Sequence, residues 1–188
     1  MNRTAYFSLV AAQCSLAVGL IICILLAPHI IPAEGGLSYF GIDHLTIPFF
    51  TIGLSLASFF TIRASYQLKS SKRKVQLNPL VIRALGVMLF LTMLSTYPYR
   101  INVYFGDLHL VIACSLFLYL VYISYWLLTR LGSTTLEWLL FGVQAVSLLL
   151  APPSWDGYIH LLFTAQTASL LAFMVLFLTS TRKLVRDF

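Results

Sequence analysis

Residues 45–97 read LTIPFFTIGLSLASFFTIRASYQLKSSKRKVQLNPLVIRALGVMLFLTMLSTY. Two apolar runs flank the basic hexad Lys69-Ser70-Ser71-Lys72-Arg73-Lys74, and each run is long enough to cross a bilayer, which takes ~17–25 residues per helix. Working outward, further apolar runs give spans near 5–27, 45–66, 80–97, 108–129, 136–151 and 158–180. Six such spans consume most of the 188 residues, so the chain reads as a single transmembrane domain over 1–188. The composition agrees: 60% hydrophobic and 10% charged residues, with a mean hydropathy of +0.90. A soluble domain carries roughly 45–50% apolar and about 25% charged residues. A soluble globular fold is excluded. The predicted fold is all-α, a multi-pass six-helix up-down bundle in the membrane.

Charge placement orients this bundle. Arg3, Arg63, Lys69, Lys72, Arg73, Lys74, Arg83, Arg130, Arg182, Lys183 and Arg186 all fall on one face, and Arg100 alone falls on the other. Cytoplasmic loops carry the excess of Lys and Arg, so both termini are predicted to be cytoplasmic, in the plasma (inner) membrane of a cell. The net charge of +6 is therefore spent on topology, and no nucleic-acid partner is expected. Lys69, Lys72, Arg73 and Lys74 are placed against anionic lipid headgroups, at about 1 kcal/mol per basic residue. The first span, Ala5 to Ala27, exceeds a signal-peptide core of ~7–15 residues and is expected to remain as a helix. Cys14, Cys23 and Cys114 all lie inside predicted spans, where a thiol acts as a small apolar group, so no disulfide framework is expected.

Local punctuation supports the boundaries. Asn78-Pro79 is a cap followed by proline at the first helical position, and Pro98 is expected to stop span three. Thr134 and Glu137 have capping-box spacing and open span five; Pro152-Pro153 is expected to end it. Small residues (Gly53, Ser55, Ala57 and Ser58 in span two; Thr164, Ala165, Thr167, Ala168 and Ser169 in span six) are expected to be buried, since they let helices approach closely in lipid. Gln144 and Gln166 lie at similar depth and are expected to bond each other across spans five and six.

The chemistry collects at the outer rim. His29, His44, His109 and His160, with Glu34, Asp43, Asp107 and Asp156, all map there. Asp43-His44 precedes span two, Asp107 and His109 open span four, and Asp156 and His160 open span six. Two readings stand. Each Asp caps its helix, accepting orphan N–H groups at the positive dipole end. Alternatively, if spans two, four and six are neighbours, the three pairs converge in an outward-facing pocket that holds a metal or performs acid–base chemistry, the histidines also suiting a pH sensor. The loop Glu34-Gly35-Gly36-Leu37-Ser38-Tyr39-Phe40-Gly41 is expected to cover that rim as an ordered lid. Arg100 is the outer cation available to an acid or an anionic headgroup. No cofactor is expected outright; zinc is the metal these residue types suit, with Asp107, His109 and His160 as candidate ligands.

The stretch Glu34–Gly41, followed by Thr46-Ile47-Pro48-Phe49, resembles the first outer loop and second helix of small, uncharacterised six-helix integral membrane proteins of bacteria, families catalogued as domains of unknown function. A fainter likeness is to the alkaline ceramidase and progestin and adiponectin receptor-like membrane hydrolases. That likeness implies a helix-borne Ser, an Asp and His ligands around zinc; Ser38, Asp107, His109 and His160 offer those types, without the paired-histidine helix motif and with six spans in place of seven. The leading expectation is a non-enzymatic membrane protein whose rim binds membrane lipids or a protein partner, a second copy of itself included. The alternative is a metal-dependent membrane hydrolase acting on a lipid amide or ester.

Overall fold

The computed structural model describes residues 1–31, 36–68, 77–96, 103–131, 133–155 and 161–186, with residues 103, 151–155 and 186 described by backbone alone. The fold is all-α. Its six helices are α1 (Arg3–Leu26), α2 (Ile47–Gln67), α3 (Pro79–Thr96), α4 (Val103–Leu131), α5 (Thr135–Trp155) and α6 (Leu162–Arg186). Short 3-10 turns over Pro28–Ile30 and Leu37–Gly41 lie between α1 and α2. Five helices, all but α5, are long and apolar enough to cross a membrane. Among the residues described with side chains, α5 contributes the apolar stretch Thr135–Leu150.

The helix starts expected from sequence are made by the expected bonds. Asn78 Oδ1 accepts from the Leu80 N–H at 2.9 Å ahead of Pro79. Glu137 Oε2 accepts the Thr134 N–H at 2.8 Å while Thr134 Oγ1 accepts the Glu137 N–H at 3.3 Å, the reciprocal pattern of a capping box. Helix α3 is described as far as Thr96, and the expected stop at Pro98 lies outside the described residues.

Three boundaries differ from the sequence reading, among them the end of α6, which runs to Arg186 in place of 180. Helix α4 starts at Val103, five residues ahead of the predicted span, because Val103-Tyr104-Phe105 contains no breaker and simply extends the apolar run. Helix α5 continues through Pro152-Pro153 to Trp155. Proline's fixed φ is itself helical, so two prolines can occupy a final turn and forfeit only its backbone bonds.

Sequence neighbours pack on one another, most extensively α1 on α2, α2 on α3 and α5 on α6. Helix α4 contacts α3, α5 and α6, and α6 returns to α1. Thus α1, α2, α3, α4 and α6 close a ring, with α5 against its α4–α6 side. The condition for the three Asp–His pairs to converge, that spans two, four and six be neighbours, is met in part: α4 meets α6, whereas α2 packs on α1 and α3. Small residues explain that preference. A Cβ on Gly19 would stand 3.1 Å from the Cα of Gly53, so α1 and α2 cross backbone to backbone, as small residues permit in lipid. Ser58 Oγ donates to the Gly86 carbonyl at 2.8 Å, tying α2 to α3. Gly53, Ala57, Ser58, Ala165 and Ser169 are buried as expected, whereas Ser55, Thr167 and Ala168 are half-buried and Thr164 is exposed.

The expected Gln144–Gln166 bond is not made. Gln144 is fully buried, yet neither its amide oxygen nor its nitrogen has a hydrogen-bond partner among the described residues. Gln166 turns to the loop backbone, accepting the Leu37 N–H at 2.7 Å, because a fixed amide at the bundle end is the nearer donor.

Candidate functional site

The described part of the predicted lid docks into one end of the ring. Gly36 has φ +60° and ψ −170°, a conformation essentially reserved for glycine, and this turn delivers the Leu37 N–H to Gln166. Phe40 is fully buried and meets Phe163 of α6 edge-on at 5.8 Å. The Phe40 carbonyl accepts from Thr46 Oγ1 at 2.7 Å. A side chain on Gly41 would collide with Thr96 at the end of α3. The turn is thus pinned to α2, α3 and α6, with Ser38 held between its anchors.

Ser38 Oγ lies 2.7 Å from Nε2 of His109, and Ser95 Oγ lies 2.9 Å from Nδ1 of the same ring. His109 is 7% exposed. Ser95 Oγ is also 3.1 Å from the Thr92 carbonyl, which can only accept. For a neutral imidazole one arrangement of protons satisfies all three contacts. Ser95 donates to the Thr92 carbonyl and accepts from Nδ1–H; Nε2 is then the lone pair that accepts the Ser38 hydroxyl. This tautomer is assigned from the network, in the way such assignments are made. It leaves a neutral imidazole whose basic nitrogen points at a serine.

Beneath Ser38 the ring encloses a cavity of about 80 Å³, several times the ~10–15 Å³ that one water needs. Ser38, Thr92 and Gln166 lie at its loop end. Gln13 to Leu20, Leu85 to Thr92, Ala113 to Leu120 and Gln166 to Phe173 all line it. Each pair is seven residues apart, so at 1.5 Å rise per residue the cavity runs about 10 Å toward the bundle centre. Its walls are mostly Leu and Phe, and apolar cavities stay dry and accept apolar guests. At its deep end Gln13, 5% exposed, has an amide oxygen without a hydrogen-bond partner among the described residues.

The remaining rim candidates separate. His44 is exposed on the turn before α2, and Asp107 is exposed on α4. The reading of Asp107 as a cap is corrected, since α4 begins at Val103 and Asp107 already lies within the helix. Asp43 does not cap α2 with its side chain either. The N-cap position is Thr46, and Asp43 Oδ1 accepts the Leu45 N–H at 3.0 Å in a local turn, with His29 3.9 Å from Oδ2. Asp107 and His109, two residues apart on a helix, face different sides, one exposed and the other buried with a serine at each ring nitrogen. Among the described residues no three His, Cys, Asp or Glu side chains form a metal-holding group. Arg100, Asp156, His160, Glu34, Lys69, Lys72, Arg73 and Lys74 lie outside the described residues.

Sequence reasoning missed Ser95, Thr92 and Gln13. An uncharged polar residue within an apolar run was the available signal, but Ser and Thr are common in spans and often bond their own helix. Comparison with protein-family models, with curated proteins and with solved structures finds no match.

Proposed function

We propose that this chain is a six-span protein of the plasma membrane, both termini cytoplasmic, whose outer end binds the acyl chain of a membrane lipid. The apolar cavity under the Leu37–Gly41 turn carries this reading. A dry cavity forfeits the dispersion contacts its lining could make, and a bilayer supplies alkyl chains at high concentration to fill it. The polar mouth, Ser38, His109 and Gln166, suits an ester or hydroxyl at the headgroup boundary, where polar groups share water. His44, Asp107 and Arg100 then belong to the surrounding rim and meet headgroups. The basic residues Lys69 to Lys74 meet anionic headgroups at the opposite surface. The metal-dependent hydrolase remains the alternative, with His160 as its untried ligand.

The binding test is native mass spectrometry of detergent-purified protein with added monoacylglycerol. A one-to-one adduct is expected, and Ala113→Phe, which fills the cavity from α4, removes it while the protein stays folded. An adduct that survives Ala113→Phe overturns the cavity as its seat. Orientation is tested by single cysteines at Lys72, His44, Arg100 and Asp156. Impermeant reagent added to intact cells should label the last three only.

A further inference from the structure

Deepening this lipid-binding reading, and resting on it for the substrate alone, we propose that Ser38 is a nucleophile activated by His109 and that the protein transfers or hydrolyses the acyl group of a lipid carboxylic ester without a metal. Three observations converge. The Ser38 hydroxyl stands 2.7 Å from Nε2, within the reach a general base requires. Ser95, backed by the Thr92 carbonyl, holds the Nδ1 proton and so presents the Nε2 lone pair, the role a third group plays behind a nucleophile–base pair. Ser38 also lines a cavity of about 80 Å³ walled mostly by Leu and Phe, which suits an apolar chain.

The chemistry balances within these groups and water. Ser38 Oγ forms a bond to the ester carbonyl carbon as its proton passes to Nε2. The C–O bond to the alcohol then breaks, and the departing alkoxide takes that proton from the imidazolium. Water, deprotonated by the same Nε2, next attacks the acyl-serine; the acid leaves and the proton returns to Ser38. A second lipid alcohol in place of water gives transfer. The chain lies against Leu85, Leu120 and Phe173 throughout, while Gln13 at the deep end is open to a hydroxyl or water. Ser38 and His109 are the catalytic residues; Ser95 is a positioning residue.

The experiment uses fluorophosphonate probes of short and long alkyl chain on the detergent-purified full chain, with the adduct located by peptide mass spectrometry. Both probes are expected to modify Ser38, the long one faster. Ser38→Ala abolishes the adduct, and His109→Gln slows it about 100-fold, the scale of general-base assistance. Ser95→Ala slows it less and shifts its pH profile, and Ser95→Thr restores both. EDTA leaves the rate unchanged. Ala113→Phe slows the long probe alone. Failure of the short probe to modify Ser38 in folded protein overturns the nucleophile, even where monoacylglycerol still binds. Modification insensitive to His109→Gln overturns the dyad, and loss with EDTA that zinc restores overturns the metal-free mechanism. Equal rates for both probes, with no effect of Ala113→Phe, overturn the cavity reading and leave the nucleophile standing.

Discussion

The two ends of the bundle use hydrogen bonds in opposite ways. At the end where α5 begins, Glu137 is 4% exposed and carries a charge. Its Oε2 accepts from the Thr134 N–H at 2.8 Å, from the Thr134 hydroxyl at 3.2 Å and from Lys183 Nζ at 2.6 Å. A buried carboxylate is tolerable only when so thoroughly partnered, and the result locks the α5 start to α6. At the other end, His109 is as deeply buried, with a serine hydroxyl at each ring nitrogen, and its Ser38 neighbour faces a cavity. Full charge compensation makes a clamp that resists change. A neutral relay ending beside empty space keeps a proton movable, which suits chemistry better than stability.

That contrast can be broken from either side. Lys183→Ala strands the buried Glu137 carboxylate and should cost about 3 kcal/mol, at the lower edge for a broken buried pair because Lys183 is a third exposed. Thermal unfolding in detergent measures it, and Ser38 modification of the folded fraction should be unchanged. His109→Gln should do the reverse: modification slows about 100-fold, while the unfolding midpoint moves little. A large drop in stability with normal modification would make the Ser38 end a second clamp and erase the distinction. Gly36→Ala forces a Cβ onto a φ of +60° and against Gln166. It should cost about 2 kcal/mol and also slow modification, since the Leu37–Gly41 turn places Ser38. Thr134→Ala removes a cap and should cost about 1 kcal/mol with no effect at Ser38. The smallest effect thus sharpens the same contrast.

Hydropathy and local spacing determined the helices and several of their starts. An apolar run of some twenty residues leaves the backbone little alternative to a helix in lipid. Thr134 and Glu137 are three residues apart, so their bond needs no knowledge of the rest of the chain. The same holds for Asn78-Pro79. Errors came at Val103, where apolarity alone set the boundary, and at Pro152-Pro153, where proline was read as a stop that the helix runs through. Tertiary structure alone decided the site. Ser38 and His109 are 71 residues apart, and Leu37 and Gln166 are 129 apart. Their pairing depends on α1, α2, α3, α4 and α6 closing a ring beneath the 36–46 segment. Uncharged polar groups have several partners within reach, so sequence could propose Gln144 for Gln166 but could not choose. The choice fell to packing: the helix crossings at Gly19, Gly53 and Gly86 set which side chains face inward. Those crossings leave a cavity where the ring does not fill, with Ser38 at its mouth.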